Sequence, residues 1–451
     1  MELVERFHVS VNQVAQLTSY SLLVIAGCAY PYSVLSRKYG KRGPFLFALA
    51  VLVAADAWAG LASSYHSMLG ARMLSGVGQS MFEALSLGII PDLFFVHERG
   101  KRVALFLFVS QSGVTLGQPI ATKITTRFGL KWCFAGLAIS EAIMFIATFF
   151  FFFECTFMRD QNNQSTHPED ETSMDMITTS KQVMADVAQD IHVEDIEQRV
   201  SITGPPRTYI QKLHIYNGVF TDSSVFGLGW RSICLSFHPT IFLVAIAALP
   251  LSWPVGISFI LSPIMHSEPY NFSTNGVANM FIAAWLGTVG AFAIGATVDW
   301  FVKFLARRNG DIYEPEFRLW YMIPGWAFFF AGWLGFGFAL EAMSSWVALA
   351  FCFALIYTGA CVTNISLVSY LLDAHEEYAV ESQVILFAFK NLFAFGMGFF
   401  FVDWYYSSGP RVLFGVVGGV VTGITLLIVP LYIGGKLLRV FWTKHWFLNL
   451  Q

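Results

Sequence analysis

The sequence predicts an all-α polytopic membrane protein, two helical bundles with about eleven membrane-spanning helices. Three observations carry this. Of 451 residues, 55% are hydrophobic and 13% charged, too apolar for a water-soluble chain of this length. Apolar runs of about twenty residues recur, the length a helix needs to cross a bilayer. Basic residues collect in alternate loops between those runs. The runs are also too long, and alternate too little, for a membrane β-barrel.

An amino-terminal bundle is expected over 1–154, with spans at 17–35, 44–64, 70–95, 103–124 and 132–154. A polar central loop, 155–239, leads to a second bundle over 240–435. Its spans are expected at 240–264, 274–298, 319–340, 346–371, 383–404 and 411–433, and 436–451 form a tail. Arg37, Lys38, Lys41 and Arg42 follow the first span, and Arg99, Lys101 and Arg102 the third. Lys303, Arg307 and Arg308 follow the seventh, and Lys436, Arg439 and Lys444 the last. The positive-inside bias puts these loops, the central loop and the tail in the cytoplasm and the amino terminus outside, with Lys123, Arg127 and Lys131 against the trend.

The central loop is rich in Ser, Thr, Asp and Gln and is broken at Gly204-Pro205-Pro206. Residues 181–200 have helical spacing, with Val183, Val187 and Ile191 on one face; the rest reads as a flexible linker. The tail mixes basic residues with Trp and Phe and reads as an interfacial helix. Asn271-Phe272-Ser273 is a glycosylation acceptor in an outward loop. The six cysteines are dispersed, without CxxC or metal-type spacing, and read as packed free thiols. The first residues lack the basic and apolar regions of a cleavable signal. No GxxxxGK[ST], HExxH, GxSxG or histidine box is present, so neither an ATP-driven pump nor an enzyme is indicated. No cofactor, metal or nucleic-acid partner is expected either.

Polar groups inside spans are costly and face a protein interior or a wet cavity. In the third span Arg72, Gly76, Gln79 and Glu83 fall on one stripe, its ends ~16 Å apart. Gln111, Thr115, Gln118 and Thr122 make a second stripe, while Gly113 and Gly117 on another face invite close helix packing. Thr363, Ser366, Tyr370 and Asp373 share a face of the ninth span, Asn275 and Asn279 a face of the seventh, and Lys390 and Asn391 sit inside the tenth. Asp56 and Glu141 are single acids in their spans. The stripes together suggest a central hydrophilic path. Among the aromatics, Trp253, Trp285 and Tyr370 would suit a hydrophobic solute.

The chain resembles the major facilitator superfamily, in particular its fungal drug:proton-antiporter-like branch that includes histidinol and polyamine permeases. The motif RxxxGxG is matched by Arg72, Gly76 and Gly78, and the loop motif GxxxDRxGRR by residues 33–42. Pro91-Asp92 through Arg99-Gly100 is similar to the inner end of the branch's fourth helix. Asp299-Trp300, Arg307-Arg308-Asn309-Gly310 and Tyr313-Glu314-Pro315-Glu316-Phe317-Arg318-Leu319 are similar to its loop between helices eight and nine. Arg37 stands where the family has an acid, and Ser33 where it has glycine. Gly113, Gly117, Gln118 and Pro119 follow the antiporter motif with the proline shifted. The first span here corresponds to helix two of a twelve-helix fold, so helix one is expected to be missing, as in a truncated paralogue.

The resemblance implies a secondary active transporter of a small organic solute (a metabolite, amine or drug-like compound), proton-coupled and working by alternating access. It implies Arg72, Gln79, Glu83, Asp56, Glu141, Lys390 and Asn391 along the substrate and proton path. Gating falls to Arg37, Arg42, Asp92, Arg99, Asp299, Arg307, Arg308 and Asp373. A monomer in the plasma membrane is expected. The competing expectation is a non-transporting membrane sensor or an inactive truncation product.

Overall fold

The computed structural model describes residues 7–94, 96–154, 209–215, 218–221 and 223–445. Helix dominates them. The first bundle holds α1 (Val11–Tyr39), α2 (Arg42–Leu61), α3 (Tyr65–Ala84), α4 (Val96–Phe128) and α5 (Leu130–Phe151). After α6 (Val225–Leu235), the second bundle holds α7 (Pro239–Ala247), α8 (Trp253–His266), α9 (Thr274–Gly295) and α10 (Val298–Arg308). It closes with α11 (Met322–Glu341), α12 (Trp346–Ala374), α13 (Ala379–Thr425) and α14 (Ile428–His445).

Local chemistry sets the helix ends. Ser10 and Gln13 form a capping box at the start of α1, satisfying donors that the first turn leaves free. Gly40, at φ 88°, ends α1. A side chain there would strike the Glu154 carboxylate, whose oxygens accept the backbone N–H groups of Lys41 (3.0 Å) and Arg42 (3.2 Å). A carboxylate from the end of the bundle thus caps α2. Ser64, Ser224 and Ser273 cap α3, α6 and α9 in the same way.

Among the described residues, nine segments are long and apolar enough to cross a membrane. The expected spans differ from this for physical reasons. α3 carries Arg72 and Glu83 and falls outside the nine. The third span ends at Ala84, not at 95, because the chain breaks into short turns over Leu87–Ile89 and Ile90–Leu93. The spans expected at 383–404 and 411–433 belong to one apolar stretch that breaks at Gly409, where φ is 77° and ψ 166°. That backbone suits glycine, and Pro410 restarts the helix with φ already fixed.

Two parts of the loop expectation change. The central loop contains α6, whose Leu228 and Ser232 are buried and which packs along α1. The tail continues as α14 and is docked on protein: Arg439 reaches Glu316 (2.5 Å) and Tyr370 (3.3 Å). The helix expected at 181–200 lies outside the described residues.

The halves meet along two helix pairs, α1 with α13 and α4 with α9. Small residues permit the first: a side chain on Gly398 would collide with Ser19. In the second, Trp285 donates to the Ser112 hydroxyl (3.2 Å). The second bundle holds large apolar clusters around Trp333, Phe336 and Phe353. By contrast α5 buries only Cys133, and Gly113 and Gly117 of α4 meet nothing within 4 Å. The close packing expected at those two glycines is therefore not made by the described residues.

Candidate functional site

Between the halves lies a cavity of about 980 Å³. Its walls come from α1, α3 and α4 on one side and from α8, α9, α12 and α13 on the other. It reaches Ser86, Phe106 and Leu251 near the basic-loop end. In the other direction it runs to Val11, Thr122, His266 and Thr274, at the helix ends furthest from the basic loops.

The charged centre of the cavity is an inter-half cluster. Glu83 of α3 pairs with the Lys390 ammonium and accepts from Asn391 Nδ2 (2.6 Å), both on α13. Lys390 also lies 4.7 Å from the Phe387 ring centroid. One acid therefore meets a cation and an amide donor between the two halves, where a charge without a partner would be costly. Gln79, Gln111, Gln118, Ser258 and Asn364 add neutral polar groups, and Phe82, Phe259, Phe281 and Tyr357 add apolar wall. Such a lining can hold a small solute by a few polar contacts within an apolar shell.

Not every predicted path residue is here. Arg72, Asp56 and Glu141 do not line the cavity. Asp56 of α2 is buried away from it. The α3 stripe is thus divided, with Gln79 and Glu83 at the cavity and Arg72 elsewhere. Thr115 is buried off the cavity, bonded to the Gln111 carbonyl (2.9 Å). Asn275 and Asn279 are exposed away from it. The Thr363–Asp373 face instead meets the turn over Pro315–Tyr321, where the Ser366 hydroxyl donates to the Arg318 carbonyl (2.7 Å). Trp253 packs against Trp333, and neither Trp285 nor Tyr370 reaches the cavity. Asn364, inside a span, is a lining residue the stripe reading missed.

At the basic-loop end the halves are joined by charge. Arg99 lies 2.5 Å from Glu376 and 3.6 Å from Asp373. Asp373 pairs with Arg318, and Arg318 stands 3.3 Å from Asp299. Asp299 also accepts the backbone N–H of Lys101 (2.9 Å). Two arginines and two aspartates are thus buried together as a neutral set. Gly100 lies against this set, because a Cβ there would stand 2.7 Å from Arg318 Nη1 and closer still to Asp299. A second link joins Arg37 to Glu381, in the first turn of α13. Gly88 packs directly below Val380, 2.5 Å from where its Cβ would sit.

Several gating expectations change here. Arg42 is buried inside its own bundle, donating to the Phe149 carbonyl (2.7 Å). Arg307 and Arg308 are exposed at the end of α10, Arg308 over the Phe304 ring, outside the network. The side chain of Asp92 lies outside the described residues. Arg318, Glu376 and Glu381 are members that sequence reasoning missed; Arg318 was visible only as the end of a matched hairpin.

Behind the network, Thr240 Oγ1 bonds His238 Nδ1 (2.9 Å) and His375 Nε2 (2.7 Å). Trp442 lies 4.7 Å from the His238 ring. Burial and the nearby Arg439 push His238 down to about 4; burial, His238 and Arg439 push His375 down to about 3.

The Major Facilitator Superfamily model matches residues 1–380. An uncharacterised MFS-type transporter of Schizosaccharomyces pombe is 27% identical over 448 residues, covering 92% of this chain and 76% of that protein. The "Probable drug/proton antiporter YHK8" of Saccharomyces cerevisiae is 22% identical, covering 95% of this chain and 76% of that one. Among solved structures, the MFS proton:xylose symporter XylE superposes with a TM-score of 0.59 at 13% identity, over 93% of this chain and 86% of its own. These relatives are transporters rather than enzymes. With its helical halves, its shared cavity and this match, the chain belongs to the Major Facilitator Superfamily.

Proposed function

We propose that the chain is a secondary active transporter of a small organic solute, coupled to protons and working by alternating access at the plasma membrane. One observation carries the reading: a single cavity, walled by both halves, is closed at one end by ion pairs that cross between the halves. Breaking those pairs while closing the opposite end would carry the cavity from one face of the membrane to the other. The structure corresponds to the state shut at the basic-loop end.

Glu83 is the switch within the cavity. As a carboxylate it holds Lys390 and Asn391; protonated, it loses the ion pair. While Glu83 is ionised, a cationic amine and Lys390 compete for its carboxylate, which makes an amine the proposed cargo. The test is uptake into proteoliposomes of labelled polyamines, amino acids and cationic dyes, with and without a pH gradient. The expected result is gradient-dependent flux of at least one amine, at least about tenfold lower in Glu83→Gln, which corresponds to about 1.4 kcal/mol. Absence of flux for the whole panel in the unaltered protein would overturn the reading.

A further inference from the structure

The hairpin after α9 carries charges that the latch leaves unused. α9 has 22 residues, ~33 Å at ~1.5 Å each, enough to cross a hydrocarbon core of ~30 Å. α10 follows it at the basic-loop face. Val298, Asp299 and Val302 are buried on one side of α10, and Phe301 and Leu305 pack on the core beside them. The other side holds Trp300, Lys303, Phe304, Arg307 and Arg308, all exposed. At ~100° per residue these side chains share ~140° of the helix surface.

Two of them are large aromatics turned outward. Trp300 is 69% exposed, and its ring stacks on Phe304, with centroids 6.2 Å and planes 13° apart. The Arg308 guanidinium lies 4.5 Å from the Phe304 centroid. The acids nearby have other partners: Asp299 stands 3.3 Å from Arg318, Glu314 3.3 Å from Lys436 and Glu98 4.0 Å from Arg102. Asp311, past the turn, is exposed. The face is therefore net positive. In water it would expose two stacked rings beside three cations. A leaflet surface satisfies both, because aromatic rings settle at headgroup level, long basic side chains reach the phosphates, and each cation gains from an anionic leaflet. A soluble acidic partner would answer the cations, but the leaflet also takes the rings and lies where α9 leaves the membrane.

We propose that the outer face of α10 docks on anionic phospholipid headgroups of the leaflet on the basic-loop side. The docking needs only the fold; its consequence for gating rests on the transport reading above. Asp299, in the first turn of the same helix, accepts the backbone N–H of Lys101 (2.9 Å) and stands 3.3 Å from Arg318. A leaflet that holds α10 in place therefore holds Asp299 in the latch and favours the state shut at that end.

Amide hydrogen exchange of the full chain in nanodiscs tests this, with phosphatidylcholine alone or with phosphatidylserine added. Exchange over 298–308 should be about tenfold slower with phosphatidylserine, and the difference should shrink at high salt. It should be lost in the triple variant Lys303→Gln, Arg307→Gln, Arg308→Gln. The charge-matched triple Lys123→Gln, Arg127→Gln, Lys131→Gln, exposed at the opposite end of the bundle, should keep it. Thermal unfolding checks that both variants are folded. Equal exchange in the two lipids, or an unchanged difference in the first variant, would overturn the proposal. Soluble glycerophosphoserine that slows exchange as much in phosphatidylcholine discs would overturn it too, because a free anion would then suffice. Failure of the transport reading would leave these exchange rates as they are. Spin labels at the exposed Leu93 and Asp311 read the second step. Phosphatidylserine should raise the population of the shorter distance, and a distribution blind to the lipid would separate the docking from the latch.

Discussion

Gly100→Ala probes the inter-half latch without removing any charge. The added Cβ would sit 2.7 Å from Arg318 Nη1 and 2.9 Å from Asp299 Cγ, inside van der Waals contact. Arg318 or Asp299 must therefore retreat, and their 3.3 Å pair lengthens beyond ion-pair reach. Overpacking of this kind costs about 1–3 kcal/mol. The strain exists only where the halves touch, so it falls on the state closed at the basic-loop end. The ratio of closed to open molecules should drop by about 5- to 150-fold, at tenfold per 1.4 kcal/mol. Spin labels at Leu93 and Asp311, both exposed and in different halves, report this through their distance distribution. A longer component should appear in Gly100→Ala. Gly113→Ala lies on the same helix and meets nothing within 4 Å, so it should leave the distribution unchanged. If Gly100→Ala matches Gly113→Ala in both distance and thermal stability, the latch does not hold the halves together.

Other outcomes follow from the same contacts. Glu381→Arg should destabilise the protein by bringing a second cation against Arg37, and the swap Arg37→Glu with Glu381→Arg should recover most of the loss. A double-mutant cycle of thermal unfolding should give a coupling of about 0.5–3 kcal/mol; additive losses would show that the pair contributes nothing. His238 and His375 titrate at about 4 and about 3 in the fold, below the unfolded value near 6.5. The unfolded chain then binds more protons, so stability is full above pH 6.5 and falls as pH drops towards those values. Thermal unfolding at pH 5.5 should show a loss of about 1.4 kcal/mol per histidine relative to neutral pH, removed in His238→Gln with His375→Gln. Arg439→Met should release α14 from Glu316, seen as faster amide exchange over 436–445, whereas an unchanged rate would mean the tail is held elsewhere.

The sequence carried the fold because bilayer crossing imposes length and apolarity on each segment, and these are local properties. It carried Gln79, Glu83, Gln111, Gln118, Lys390 and Asn391 for a related reason: a polar group in a span has few places to face. Helical spacing fixes which face a residue occupies, not which neighbour that face meets at each depth. Arg72 and Glu83 share a stripe, yet only Glu83 reaches the cavity, where it pairs with Lys390. The latch was harder to see. Arg318, Glu376 and Glu381 sit at span edges where charges are common, and their partners lie 3.3 Å or less away only after folding. Arg37 shows the same limit. Its partner is an acid at the first turn of α13, in the other half of the chain.

Alternating access is the central claim, and side-specific labelling of one cavity cysteine tests it most directly. Ser258 lines the cavity and is exposed within it, so Ser258→Cys in a background without other cysteines is the reporter. An impermeant maleimide should reach it from the side opposite the basic loops while the latch is intact. Adding Asp373→Asn, Glu376→Gln and Glu381→Gln removes the acids that Arg99 and Arg37 pair with across the halves. Labelling from the basic-loop side should then rise and labelling from the opposite side should fall in proportion. A rise on one side with no fall on the other would describe a channel, and rates that ignore the latch would contradict the account.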